Sequence, residues 1–233
     1  MTSRVFERDA VRIGILAPPW VSVPPAGYGG TERVIDRLAR GLRTAGHDVR
    51  LWTTGDSTCS VPVGFTYPTA RTQAMGASSI ELRHTLEGYE WFADERCDVI
   101  HDHTLVGPLL GRASAPVITT NHGRFDLPEF ATIFGRLDAS VPIIAISRAQ
   151  ASIAARLGIH VAHVIHHGID VDDVPVGDGL GDERGKYLLF LGRMSPDKGV
   201  LEAIEIARAA GSRLLVAAKI RSTDEIEFYR DVV

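Results

Sequence analysis

Y-L-L-F-L-G-R-M-S-P-D-K-G, from Tyr187 to Gly199, decides the fold. Its five leading apolar residues, Tyr187 to Leu191, predict a buried strand. Gly192, Arg193, a Ser-Pro-Asp turn, Lys198 and Gly199 come immediately after. From Val200 the spacing turns helical, with Leu201, Ile204 and Ala207 sharing a face. In an open α/β sheet, an anion sits at the carboxyl end of such a strand, beside the helix N-terminus. Arg supplies a planar fork for phosphate oxygens and Lys a mobile point charge. The alternative is a solvated turn with two surface cations.

Outward from this stretch the same alternation continues. Downstream, Arg213–Lys219 reads as a second strand and residues 224–233 as the start of a helix. Upstream, residues 171–185 are rich in Gly, Pro and acidic side chains and read as a linker between domains. Before the linker lies a series of strands: 11–17, 48–54, a short one within 61–67, 97–101, 116–120, 142–147 and 162–166. Helices are expected from Thr31 to about Gly46 and from Ser79 to Glu95, the second with Leu82, Leu86, Tyr89 and Phe92 facing inward. A further helix is capped by Ser147 and stopped by Gly158. Strand, Gly-rich loop, helix and strand in residues 11–54 form a βαβ unit. The class is α/β, with a parallel Rossmann-like sheet in residues 1–170, a linker at 171–185, and the beginning of a second Rossmann-like unit at 186–233.

Several side chains stand out. Gly29 and Gly30 precede the first helix, where backbone N–H groups can approach a ligand closely; a tight turn with positive φ is the structural alternative. His101-Asp102-His103 invites a metal reading, but two His at i, i+2 without a third ligand at a recognisable spacing make a weak one. His122 comes after a strand and precedes Gly123, a position that can face a cleft. His163, His166 and His167 cluster in sequence, yet alternation puts the first two on opposite faces. Cys59 and Cys97 match no metal spacing and read as reduced thiols.

L-G-R-x-x-x-x-K-G with its amphipathic helix resembles the opening of the C-terminal domain of retaining glycosyltransferases of family 4, which have the two-domain GT-B fold. Residues 28–49, Y-G-G-T-E-R-V-I…G-H-D-V, resemble that family's first loop, helix and second strand. The resemblance implies that Arg193 and Lys198 grip the diphosphate of a nucleotide sugar, with Gly192 in the same donor site. It implies that Gly29 and Gly30 close over the donor phosphate, and that His122 contacts the donor sugar near its β-phosphate. The D-V-I-H-x-H strand ending fits the family too. His167 stands where the family has Asn in I-x-N-G-x-D. The family's E-x7-E carboxylates are not found in these residues, and its C-terminal domain is larger than the segment 186–233. A shortened half sheet would leave Leu188, Phe190, Leu214 and Val216 uncovered, so the sequence reads as part of a longer enzyme.

The implied activity is transfer of a hexose from a nucleotide diphosphate sugar to a sugar, lipid-linked or small-molecule acceptor, with no metal and no further cofactor. Rival readings are a nucleotide-sugar epimerase on the same fold and a non-catalytic glycan- or nucleotide-binding chain. Composition bounds these readings. The 233 residues carry a formal charge of −4, and only three of the 25 basic residues are Lys, without a basic block. Nucleic-acid binding by bulk electrostatics is therefore not expected. Charged residues at Arg4, Glu7, Arg8, Asp9 and Arg12 interrupt any leader-like run, and no window reaches the length of a membrane span. A cytoplasmic protein is expected, with peripheral membrane contact compatible with a lipid-linked acceptor.

Overall fold

A computed structural model of the chain describes residues 10–111, 113–171, 174–177, 187–220 and 223–231. The chain divides into two compact units, Met1–Ile169 and Asp170–Val233. Most of the expected linker, at 172–173 and 178–185, lies outside the described residues, as does the polar lead-in before Ala10.

The first unit runs β1 (Arg12–Leu16), α1 (Gly30–Thr44), β2 (Asp48–Thr53), β3 (Val63–Phe65), α2 (Ser78–Asp94), β4 (Val99–Asp102), β5 (Val117–Asn121), α3 (Pro128–Phe134), β6 (Ile143–Ala145), α4 (Arg148–Arg156) and β7 (His163–Val164). Its seven strands form one sheet in the order β3-β2-β1-β4-β5-β6-β7, every pair parallel. The order reverses between β1 and β4, which makes their carboxyl ends the topological switch point of the sheet.

Alternation along each strand feeds two hydrophobic layers. Ile15, Val49 and Leu51 pack with Ile35 and Ala39 of α1. Leu16, Trp52 and Ile100 pack on the other side with Tyr89 and Phe92 of α2. A third cluster of Phe125, Phe134, Ile143, Ala145, Ala154 and Ile159 lies under α3 and α4.

Helix α2 corrects one expectation. Leu82 and Leu86 are exposed, and the buried stripe is Glu81, His84, Thr85, Gly88, Tyr89 and Phe92. Gly88 makes this close approach possible, because a Cβ there would come within 2.7 Å of the Trp52 ring. Gly64 does the same from the other side, at 2.6 Å. The Trp52 indole, held in this slot, donates to the carbonyl of His84 at 2.9 Å and packs at 5.4 Å from Trp91.

The second unit contains β8 (Tyr187–Arg193), α5 (Val200–Ala209), β9 (Arg213–Lys219) and α6 (Thr223–Asp231). Strands β8 and β9 pair in parallel from Tyr187↔Arg213 to Arg193↔Lys219, so β8-α5-β9 is a βαβ unit. Of the residues expected to lie uncovered, Leu188 and Val216 are exposed, whereas Phe190 and Leu214 are covered wholly or in part. Phe190 is buried with Met194 and Val200, while Leu189 and Leu191 on the other face are exposed. Along α5, Ala207 is buried as the shared face implies, while Leu201 is exposed and Val200 and Ala203 pack inward in its place. Among the described residues, no helix is long and apolar enough to cross a membrane.

The loop after β4 is built around a buried carboxylate. A Cβ on Gly107 would lie 1.9 Å from Oδ2 of Asp102. Gly107→Ala is therefore expected to destabilise the protein by about 2–3 kcal/mol through overpacking. Urea unfolding checks this, and an unchanged midpoint would contradict it.

Candidate functional site

At the switch point, β4 ends in Asp102 and His103. Asp102 is fully buried. Its Oδ2 accepts from the Tyr89 hydroxyl at 2.7 Å, and its Oδ1 accepts from the backbone N–H and the hydroxyl of Thr104, each at 2.7 Å. Burial pushes its carboxyl up to about 6 despite these donors. Glu81, likewise raised by burial, accepts from the N–H of Leu105 at 2.6 Å. Two carboxylates thus satisfy the backbone of the turn, and the His103 N–H bonds the Leu16 carbonyl of β1 at 2.9 Å. His103 is fixed by its neighbours on three elements.

Four imidazoles meet here. His101 stacks on His103 with ring centroids 4.2 Å apart, and its Nε2 lies 2.7 Å from the Thr120 hydroxyl. His103 Nδ1 lies 2.8 Å from His122 Nε2. His122 Nδ1 lies 3.3 Å from His167 Nε2. Desolvation lowers all four, His101 to about 4, His122 to about 3, and His103 well below the ordinary range, and repulsion from neighbouring rings adds to it at His103 and His122. The rings are accordingly neutral at pH 7. His167 joins His103 and His122, while His163 and His166 are exposed. Among the described residues, no group of three His, Cys, Asp or Glu side chains is arranged to hold a metal ion.

Gln150 positions His122, and sequence reasoning misses it. Ser147 caps α4 as expected, its hydroxyl accepting from the Gln150 N–H at 3.0 Å. The buried Gln150 amide then donates to the carbonyls of Asn121 and Gly123, at 2.9 and 2.6 Å. Its Oε1 accepts from the Ile146 N–H at 2.6 Å. The residues on either side of His122 are thereby clamped to α4. Ser147-x-x-Gln150 has capping-box spacing, a signal that could have drawn attention to Gln150.

The glycines before α1 divide in role. Gly29 has φ 175°, extended backbone rather than a left-handed turn. Its constraint is close packing, since a Cβ would sit 2.7 Å from Pro25 and 2.9 Å from the Glu32 carboxylate. Gly30 opens the helix with free space around it. Neither needs the positive φ raised as the structural alternative.

In the second unit, Gly192 and Arg193 end β8, and Lys198 lies just before α5. Arg193 Nη2 and Lys198 Nζ reach the same oxygen of Asp197, at 3.3 and 3.4 Å. Arg193 also pairs with the largely buried Glu225 of α6 at 3.6 Å. The other Asp197 oxygen accepts from the Ser195 hydroxyl at 2.6 Å. Ser195 is the leading cause of the lowered Asp197 carboxyl, with Lys198 and Arg193 adding to it. Gly199 has φ 75° at the helix N-cap, a left-handed conformation suited to glycine. Two cations therefore converge in front of the first turn of a helix, the arrangement that receives an anion.

A parallel sheet with this strand order, followed by a βαβ unit, defines a chain of GT-B glycosyltransferase fold. The chain belongs to Glycosyltransferase Family 4, whose model matches residues 28–173. Among solved structures it is similar to AviGT4, a glycosyltransferase involved in avilamycin A biosynthesis. That match has 28% identity and a TM-score of 0.63, covering 94% of this chain and 60% of AviGT4. The sucrose-phosphate synthase of Thermosynechococcus elongatus matches at 15% identity and TM-score 0.65, covering 94% of this chain and 66% of that one. The lipopolysaccharide outer core galactosyltransferase WaaB matches at 12% identity and TM-score 0.55, over 95% of this chain and 71% of WaaB. At these last two identities the likeness is one of fold. The chain spans about three fifths of the length of AviGT4. No curated protein sequence matches it.

Proposed function

We propose that this sequence belongs to a retaining glycosyltransferase that moves a hexose from a nucleotide diphosphate sugar to a sugar, lipid-linked or small-molecule acceptor. The observation that carries the reading is the convergence of Arg193 and Lys198 at the N-terminus of α5. A diphosphate placed there replaces Asp197 as their partner and gains the helix N–H groups. As the glycosidic bond breaks, negative charge builds on the leaving diphosphate, and two fixed cations stabilise it more than they stabilise the bound donor. In this reading Gly192 belongs to the same donor site. Gly29 and Gly30 offer backbone donors to the donor phosphate, and His122 serves the sugar. The reaction then calls for no metal and no further cofactor.

The test is calorimetric titration with UDP, GDP and ADP and their hexose conjugates, then transfer assays with and without a chelator. Binding of one nucleoside diphosphate series, chelator-insensitive transfer and retention of anomeric configuration by NMR are expected. Failure of all three series to bind would sink the reading.

A further inference from the structure

Buried His103 has no part in the function proposed above, yet it touches the histidine that does. Its Nδ1 lies 2.8 Å from Nε2 of His122. Both rings are neutral at pH 7, so one nitrogen of this pair donates and the other accepts. Two arrangements satisfy the contact. Either His103 donates from Nδ1 into the Nε2 lone pair of His122, or His122 donates from Nε2 and the proton of His103 lies on its own Nε2.

The surroundings of His103 decide between them. Its Nε2 is buried without a hydrogen-bond partner among the described residues. A proton there would be an orphaned N–H in the interior, whereas an unfilled lone pair costs less. His101, stacked on the ring at 4.2 Å, and the backbone bond from His103 to Leu16 hold this setting. The proton of His103 therefore lies on Nδ1 and points at His122. With its Nε2 lone pair filled, His122 carries its single proton on Nδ1. That nitrogen faces the exposed ring of His167, whose Nε2 is 3.3 Å away.

We propose that His103 is a positioning residue that fixes His122 as its Nδ1–H tautomer, so that His122 meets a ligand as a hydrogen-bond donor. The proton order rests on the contact between the two rings; its use in sugar transfer rests on the function proposed above. No lone pair of His122 is then free to take a proton. A ligand group arriving from the His167 side must bring an accepting oxygen, as a sugar hydroxyl can. His167 is not needed for this order, because the cost that sets it lies at the buried end.

The experiment is long-range proton–nitrogen NMR at pH 7.5 on the intact protein carrying this sequence, labelled with ¹⁵N-histidine. Wild type, His103→Asn and His103→Asp are compared. Asn and Asp have the same shape, and their terminal atoms reach the place of Nδ1; the amide can donate there and the carboxylate only accepts. His122 is expected to have a bare Nε2 and a protonated Nδ1 in the wild type and in His103→Asn. In His103→Asp its Nε2 is expected to be protonated. A protonated Nε2 in the wild type overturns the proposal by itself, whether or not either variant folds. A protonated Nε2 in His103→Asn, or a bare one in His103→Asp, overturns it as well.

In the transfer assay at saturating donor, His103→Asp is expected to lower kcat at least about tenfold, the scale of an outer partner that orients a functional histidine. His103→Asn should retain most of the wild-type kcat. The two readings fail separately. The expected protonation states without transfer from any donor keep the positioning role and remove the transferase. Transfer by a wild-type protein whose His122 is protonated at Nε2 removes the positioning role alone.

Discussion

Arg193→Ala and Lys198→Ala are each expected to lower turnover by roughly 10²- to 10³-fold, the usual loss when one preorganised donor to developing charge is removed. Each variant leaves the other cation on Asp197, so the fold of the loop survives while half the charge is gone. Arg193→Lys should not rescue. Arg193 uses separate guanidinium nitrogens for Asp197 and Glu225, at 3.3 and 3.6 Å, and an ammonium is a point charge without that fork. Lys198→Arg is expected to recover more, because Lys198 makes a single contact to Asp197. Initial rates at saturating donor, in an active protein carrying this sequence, check these values. Wild-type rates in both alanine variants would remove Arg193 and Lys198 from the mechanism.

The second large effect is on stability. Unfolding free energy should fall steeply as pH drops from about 6.5 toward 4. Burial lowers His84 and His101 to about 4, His122 to about 3, and His103 well below the ordinary imidazole range. Below pH 6.5 the unfolded chain binds protons at these four positions and the folded chain does not, so stability is lost as pH falls through that window. Asp102, raised to about 6, acts in the opposite sense, since the folded form holds a proton that the unfolded form releases. Glu32 and Glu81, raised by burial, act with it. Four imidazoles stand against three carboxyl groups, so stability is expected to fall on balance as the pH drops toward 5. Urea titrations at pH 7, 6 and 5 measure this slope. A flat or rising stability toward pH 5 would mean that the four rings are not buried in neutral form.

The parts of this structure legible in the sequence are those set by local rules. The strand Arg213–Lys219 is legible to the residue, and so is Ser147 as a cap, because alternation and capping are written within a few positions. The cation pair is legible as well, since five residues and one turn bring Arg193 and Lys198 to a common carboxylate. Faces are harder. Leu82 and Leu86 suggest the buried side of α2, but that side holds Glu81, whose carboxylate satisfies the Leu105 N–H, and His84, whose Nε2 meets the Ala17 carbonyl at 3.0 Å. A periodicity count cannot see a polar group buried to serve a distant loop. The histidine chain is hidden for the same reason. His122 meets His103 across 19 residues and His167 across 45, through the parallel order of the sheet rather than any local pattern.

Trp52, wedged between Gly64 and Gly88 and close to Trp91, gives the molecule a built-in optical probe. The chain's three tryptophans, Trp20, Trp52 and Trp91, all fall within the first unit. Emission excited at the red edge of the indole band therefore tracks that unit alone, and the tyrosines Tyr187 and Tyr229 of the second unit stay dark. Far-ultraviolet dichroism sees both units together. Comparing the two signals through an acid titration separates loss of the histidine-bearing sheet from loss of the cation-bearing βαβ unit, with no label attached.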